Sequence, residues 1–163
     1  MSWPIIILAF VAVQRLLELA LARRNTAQLL ARGAHEVGAN HYPLIVGFHA
    51  VWLLGLVWLA RDQVVNWWLA GVFAILQGLR LWVLFTLGPR WTTRILIVPG
   101  QPLVVKGPYR FLSHPNYAVV AAEIFVLPLA IGLYWFALIG GLINLAILRV
   151  RIGVEERALH RNN

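Results

Sequence analysis

Apolar side chains run through this chain in long blocks separated by short charged clusters. A helix crosses the hydrocarbon of a bilayer with about 20 apolar residues, and residues 3–21, 43–60 and 64–87 each supply such a block. Arg61-Asp62 makes the brief break between the second and third. A last apolar region runs from Tyr117 to Leu148, too long for one crossing, and only Glu123 and Asn144 interrupt it. Pro128, Gly132 and Gly140-Gly141 permit a bend, so the pattern predicts a helical hairpin turning near residues 131–135, with spans at 117–131 and 135–150. The expectation is an all-α polytopic integral membrane protein with five transmembrane helices, the last two a hairpin, in a single domain over 1–163.

Composition points to the same solvent. Hydrophobic residues make up 61% of the 163 and charged ones 12%, against roughly 25% charged in an average soluble chain. A soluble domain of this size cannot hide so much apolar surface, so lipid must bathe much of it. The first block is too long for a cleaved signal and has no clear small-residue cleavage site. The net charge of +8 does not form the basic face with interleaved aromatics that nucleic-acid binding requires, so no nucleic-acid partner is expected.

The charges instead read as topology determinants. Arg23, Arg24 and Arg32 fall in loop one, and Arg90, Arg94, Lys106 and Arg110 in loop three. Arg149, Arg151, Arg157 and Arg161 fall in the C-terminal segment 149–163, which makes 11 of the 14 Lys and Arg residues. The positive-inside rule then predicts an outside N-terminus and a cytoplasmic C-terminus for a multi-pass protein, in the cytoplasmic membrane if the source is bacterial. Trp52, Trp58, Trp67, Trp68, Trp82, Trp91 and Trp135 lie mostly near span ends, where indoles anchor at headgroup depth; ligand stacking is the other use of such rings.

Within the spans, Arg15 and Glu18 are three apart on one helix face and can pair with each other. Arg80 and Glu123 belong to different spans and either form an interhelical pair or line a polar cavity. Asn144 is expected to bond a neighbouring helix. The long polar loop 88–116 is rich in proline and glycine, and loops of that length usually serve a function. The chain has no Cys, which removes disulfides, thiolate metal sites and a cysteine nucleophile. His114 has no second ligand at metal spacing, so no metal is expected. Phosphate loop, dinucleotide fingerprint and nucleophile elbow are all missing.

A two-span hairpin returns the chain to the side it left, so the segments before and after it meet at one cytoplasmic mouth. Before it stands Gly107-Pro108-Tyr109-Arg110-Phe111-Leu112-Ser113-His114-Pro115-Asn116-Tyr117; after it, Arg149-Val150-Arg151-Ile152-Gly153-Val154-Glu155-Glu156-Arg157. Prolines keep Pro108 and Pro115 out of regular helix and free nearby backbone groups for a ligand. Tyr109 and Tyr117 supply flat amphipathic walls. Arg151 and Glu155, four apart, share a helix face. A cationic head there can hold an anionic substrate, and a carboxylate an ammonium or a ribose hydroxyl. The plainer alternative is a juxtamembrane helix whose Arg and Glu pair only with each other and with lipid headgroups.

Taken in order, Gly107-Pro108-Tyr109, His114-Pro115-Asn116-Tyr117, and Arg151 with Glu155-Glu156 resemble the isoprenylcysteine carboxyl methyltransferase family. The resemblance runs from about Gln101 to Leu159; the first three spans fit only in hydropathy and count. It implies a small membrane enzyme that binds S-adenosyl-L-methionine at the cytosolic mouth and takes a lipophilic small-molecule or prenylated substrate from the bilayer. By that resemblance, cofactor contacts come from a strand-like segment Gln101-Pro102-Leu103-Val104, from Tyr109, from His114, Pro115, Asn116 and Tyr117, and from Glu155. Arg151 is associated with the substrate, and Arg151 and Glu155 are the residues placed nearest the chemistry. Three departures bear on the acceptor rather than the cofactor. Ser113 stands where family members often carry Arg, Val119 where a small residue is common, and Gln101-Pro102 where eukaryotic members carry other polar residues.

Methyl transfer from a sulfonium asks mainly for positioning and exclusion of water. A carboxylate acceptor is already ionised at neutral pH and needs no general base; the resemblance implies methylation of a carboxylate or hydroxyl on an isoprenylcysteine-like or alkylpyrone-like substrate. Two other readings stand beside it. One is a membrane reductase related to sterol reductases, which generally have more spans; the other is a non-catalytic helical membrane protein.

Overall fold

A computed structural model describes residues 2–160. Five helices carry the architecture: α1 (Trp3–Ala31), α2 (Tyr42–Leu59), α3 (Trp67–Leu87), α4 (Pro115–Ala130) and α5 (Tyr134–His160). Local chemistry sets their starts. Prolines sit in the first turn of α1, α2 and α4, where a missing N–H costs nothing. The Asn66 side chain caps α3 by accepting from the backbone N–H groups of Trp68 and Leu69 at 3.1 and 3.3 Å. Pro128 stands near the end of α4, which stops at Ala130 and turns through Gly132 into α5.

Among the described residues four helices are long and apolar enough to cross a membrane; α4, with 16 residues, is the short one. Their apolar side chains face outward: only 11% of the most apolar window of the second is buried inside the protein. Trp68 and Phe85 stand fully out on that surface. The interior core is built from Leu8 and Val11 of α1, Leu56 of α2, Phe73 of α3 and Leu127 of α4. α4 and α5 pack closely, and a Cβ at Gly141 would run into the Phe125 ring.

Several expectations change here. The first helix does not stop at residue 21 but continues to Ala31, about 43 Å at 1.5 Å per residue. Arg23 and Arg24 therefore ride on helix rather than loop, because residues 22–31 are mostly strong helix formers (Ala, Leu, Arg and Gln) even though polar residues break the apolar run. The helical class also admits a small antiparallel ribbon, β1 (His35–Val37) with β2 (Ile95–Ile97), in the register His35↔Ile97, Glu36↔Leu96 and Val37↔Ile95. Trp52 and Trp91 are buried rather than interfacial. α5 runs unbroken through Arg149, Arg151 and Arg157; Arg161 lies outside the described residues.

The charges inside the bundle form one network. Arg80 Nε and Nη2 donate to the two Glu18 oxygens at 2.6 and 2.5 Å, and Nη1 donates to Glu123 at 2.9 Å. Arg15 bridges the same two carboxylates at 2.9 Å each, so its partner is not Glu18 alone. Arg80 and Glu123 are thus the interhelical pair, not the lining of a polar cavity. Asn144 is fully buried, yet neither its Oδ1 nor its Nδ2 has a partner among the described residues. One turn earlier, Gly140 and Gly141 lie against the rings of Trp52 and Phe125, which offer no acceptor to an amide.

Candidate functional site

The start of α4 and the last turns of α5 meet at a cavity of about 550 Å³, roofed by the 90–97 and 103–105 segments. Two glycines make the surrounding turns possible. Gly107, at φ +58°, lies against Thr86 of α3 and starts the 3-10 turn Gly107–Arg110 that carries Tyr109 to the cavity. Gly38, at φ +68°, lets the chain after β1 come within contact of Val154, beside Glu155. Further support comes from α1, whose buried Asn25 donates its Nδ2 to the carbonyls of Gly88 and Trp91 at 3.2 and 2.8 Å.

Tyr117 is the hub. Its hydroxyl donates to Glu155 Oε2 at 2.5 Å and accepts from Arg151 Nε at 2.8 Å. Arg151 Nη2 donates to the Thr93 carbonyl at 2.8 Å, and its guanidinium lies 5.4 Å from the Tyr117 ring centroid. The His114 ring stacks on Tyr117 with centroids 5.4 Å apart and planes 14° apart. His114 Nδ1 is 3.8 Å from Glu155 Oε2 and Nε2 is 3.6 Å from Glu156 Oε1, so the imidazole stands between the two carboxylates. Arg151 and Glu155 thus meet through the tyrosine oxygen rather than as a direct surface pair.

Two residues of the cavity wall also carry buried polar atoms with no internal partner. Asn116 Oδ1 and Trp91 Nε1 are buried without a hydrogen-bond partner among the described residues, and both residues line it. A buried acceptor left open costs about 1–3 kcal/mol, so a ligand with matching polar groups is the natural complement. Burial, reinforced by the Glu155 carboxylate, pushes the Tyr109 phenol up to about 12 and keeps it a neutral donor. No group of three or more His, Cys, Asp or Glu side chains able to hold a metal occurs among the described residues.

Of the residues expected at the site, Leu103, Val104, Tyr109, His114, Asn116, Tyr117, Arg151 and Glu155 line this cavity. Gln101, Pro102 and Pro115 do not. The 101–104 segment is irregular rather than a strand: Gln101 N–H closes a turn on Val98 and the Pro102 carbonyl accepts from Arg90 Nη1 at 2.9 Å. The actual strand is Ile95–Ile97, which sequence reading passed over. Its signal was present, a short β-branched run ahead of Pro99-Gly100. Arg90 and Arg94, read only as topology charges, also line the cavity.

Pro115 faces the other way. Between residues 108 and 119 the chain is a partition: Tyr109, His114, Asn116 and Tyr117 face the polar cavity. Pro108, Phe111, Leu112, Pro115, Ala118 and Val119 line an apolar groove of about 300 Å³ against Leu76, Leu79 and Trp82 of α3.

Comparison with known proteins gives the same direction. Residues 69–161 match the isoprenylcysteine carboxyl methyltransferase (ICMT) family. The chain is 42% identical to the Bacillus subtilis (strain 168) uncharacterized protein YpbQ, over 98% of this chain and 96% of that one. It is 28% identical to an uncharacterized Haemophilus influenzae protein, over 89% of this chain and 88% of that one. No solved structure matches it significantly.

Proposed function

This chain belongs to the isoprenylcysteine carboxyl methyltransferase family of membrane methyltransferases, and from that premise we propose that it methylates a carboxylate or hydroxyl of a lipophilic acceptor, with S-adenosyl-L-methionine held in the cavity between α4 and α5. The observation that carries the reading is the Tyr117 hydroxyl, which ties Glu155 and Arg151 into one cluster on the cavity wall.

The residues present suit that cofactor. Its ammonium and ribose need anionic or acceptor groups, and Glu155 on the cavity wall and the buried, unpartnered Asn116 Oδ1 beside it are such groups. Its adenine needs flat and apolar walls, which Tyr109, Leu103 and Val104 offer. When bound, the cofactor supplies a methyl group on a sulfonium, open to in-line displacement. Glu155 serves to hold rather than to take a proton. Arg151 has committed Nε and Nη2 to Tyr117 and Thr93, while Nη1 has no hydrogen-bond partner among the described residues and is left for an acceptor anion. The apolar groove behind the partition supports a lipophilic acceptor.

The proposal extends to topology: five crossings with α4 and α5 as the hairpin, the N-terminus outside and the cavity cytoplasmic. Gly107–Arg110 and the 149–157 stretch of α5 then share the positively charged side.

The test is incubation of the purified protein with methyl-labelled S-adenosylmethionine and host lipid extract. Label in an extractable lipophilic product is expected. Binding of a nicotinamide cofactor in place of S-adenosylmethionine would instead favour the reductase reading, and binding of neither would leave a non-catalytic protein.

A further inference from the structure

The family match begins at residue 69, yet a hydrogen-bonded chain reaches the site from well before it. Tyr42, the first residue of α2, has its hydroxyl 2.9 Å from Thr93 Oγ1. The same Thr93 uses its carbonyl to accept from Arg151 Nη2 at 2.8 Å. Arg151 Nε then donates to Tyr117, and Tyr117 donates to Glu155. The Tyr42 ring also lies against Arg94, whose guanidinium is 4.7 Å from the ring centroid and whose Nη1 donates to Glu36 Oε2 at 2.6 Å.

We propose that Tyr42 is a positioning residue: by fixing Thr93 it orients the Thr93 carbonyl, which in turn sets the direction of the Arg151 guanidinium. The physical need is plain. Thr93 sits just before β2, where the ladder begins only at Ile95, so the ribbon itself does not fix its peptide plane. Arg151 is almost wholly buried, and a guanidinium in that setting must have its donors satisfied by fixed acceptors. One acceptor is a side chain on α4, already anchored by helix. The other is a loop carbonyl, and Tyr42 supplies its anchor. With Nε and Nη2 both held, the fork of Arg151 has one orientation, and Nη1 keeps one direction. The role of that Nη1 toward an acceptor rests on the function proposed above; the positioning itself does not.

The test therefore reads the arginine directly. In full-length protein in micelles, labelled with ¹⁵N-arginine, the Arg151 Nε–H signal is identified by its loss in Arg151→Lys, and its hydrogen-exchange rate is measured. Tyr42→Phe is expected to speed that exchange by about fivefold, the factor a typical single hydrogen bond carries. Thr93→Val should do the same and Thr93→Ser should restore the wild-type rate. Exchange at Arg80 Nε, inside the bundle, should stay unchanged and show that the effect is local. If Tyr42→Phe fails to fold, Thr93→Val against Thr93→Ser carries the test alone. Wild-type exchange in both Tyr42→Phe and Thr93→Val would overturn the proposal, as would an Arg151 Nε–H in the native protein with no protection. A failure to detect methyl transfer would leave this result untouched and count only against the proposed function.

Discussion

The ion network between α1, α3 and α4 and the cluster at the cavity both set arginines against glutamates, and they differ in closure. Arg15 and Arg80 meet Glu18 and Glu123 as two positive and two negative charges. Every carboxylate oxygen accepts at least one bond, with Gln14 and Gln77 adding theirs. Arg80 uses all three guanidinium nitrogens, only Gln14 Oε1 and Gln77 Oε1 are buried there without a partner among the described residues, and the members come from three helices that the circuit holds in register. At the cavity, by contrast, the buried Arg151 keeps one nitrogen free of partners among the described residues, and its cluster with Tyr117 and Glu155 lines about 550 Å³ of open space. A charge in a membrane protein is a functional candidate by default; here a fully bonded Arg80, against an Arg151 with a spare nitrogen beside a cavity, separates structure from site.

Breaking the closed circuit should cost the most stability. Arg80→Ala leaves Glu18 and Glu123 sharing only Arg15, and stripping one partner from a buried pair is worth about 3–5 kcal/mol. Thermal denaturation in micelles should show that loss, while Arg151→Ala should shift stability far less. A mild phenotype for Arg80→Ala would remove the distinction between the two regions.

The open cluster should respond in function instead. Arg151→Ala removes a charge-assisted contact worth about 1.5–3 kcal/mol, so kcat/KM for the acceptor identified by labelling should fall about 10- to 150-fold with cofactor affinity kept. Loss of cofactor binding with a normal saturated rate would reassign the arginine to the cofactor.

How much of this contrast was legible in the sequence depends on range. Apolar run length sufficed for the helices, because crossing a bilayer is a length requirement that residues 43–60 and 64–87 meet directly. It failed at residues 22–31, where helix continues on propensity after the apolar run ends. The meeting of His114–Tyr117 with Arg151–Glu155 followed from the turn between two helices. The i,i+3 spacing showed Arg15 beside Glu18 but not its second bond, to a carboxylate 108 residues away. The Thr93 carbonyl was invisible, since a backbone acceptor has no residue type to announce it.

Smaller effects sharpen the site further. Glu156 faces His114 Nε2 at 3.6 Å and its side chain is half exposed. Glu156→Gln should therefore weaken cofactor affinity by no more than about fivefold, as expected of an exposed charged contact. A loss equal to that of Glu155→Gln would make the two carboxylates one site.

The Tyr109 phenol gives a signal confined to high pH. Its folded value near 12 lies above the unfolded value of about 10. Its contribution to stability is therefore fully present below pH 10 and is lost as pH rises from 10 through 12. Tyr109→Phe should flatten that part of a melting-temperature profile against pH; an unchanged slope would place the phenol in water.

Calorimetric titration of S-adenosylmethionine into the native protein and into Glu155→Gln tests the central claim most directly. Saturable binding to the native chain is expected, weakened about 10-fold or more in Glu155→Gln through a lost charge-assisted hydrogen bond, with the melting temperature of the free protein nearly unchanged. Equal affinity in the two proteins, or no binding to the native one, would contradict the assignment of this cavity to the cofactor.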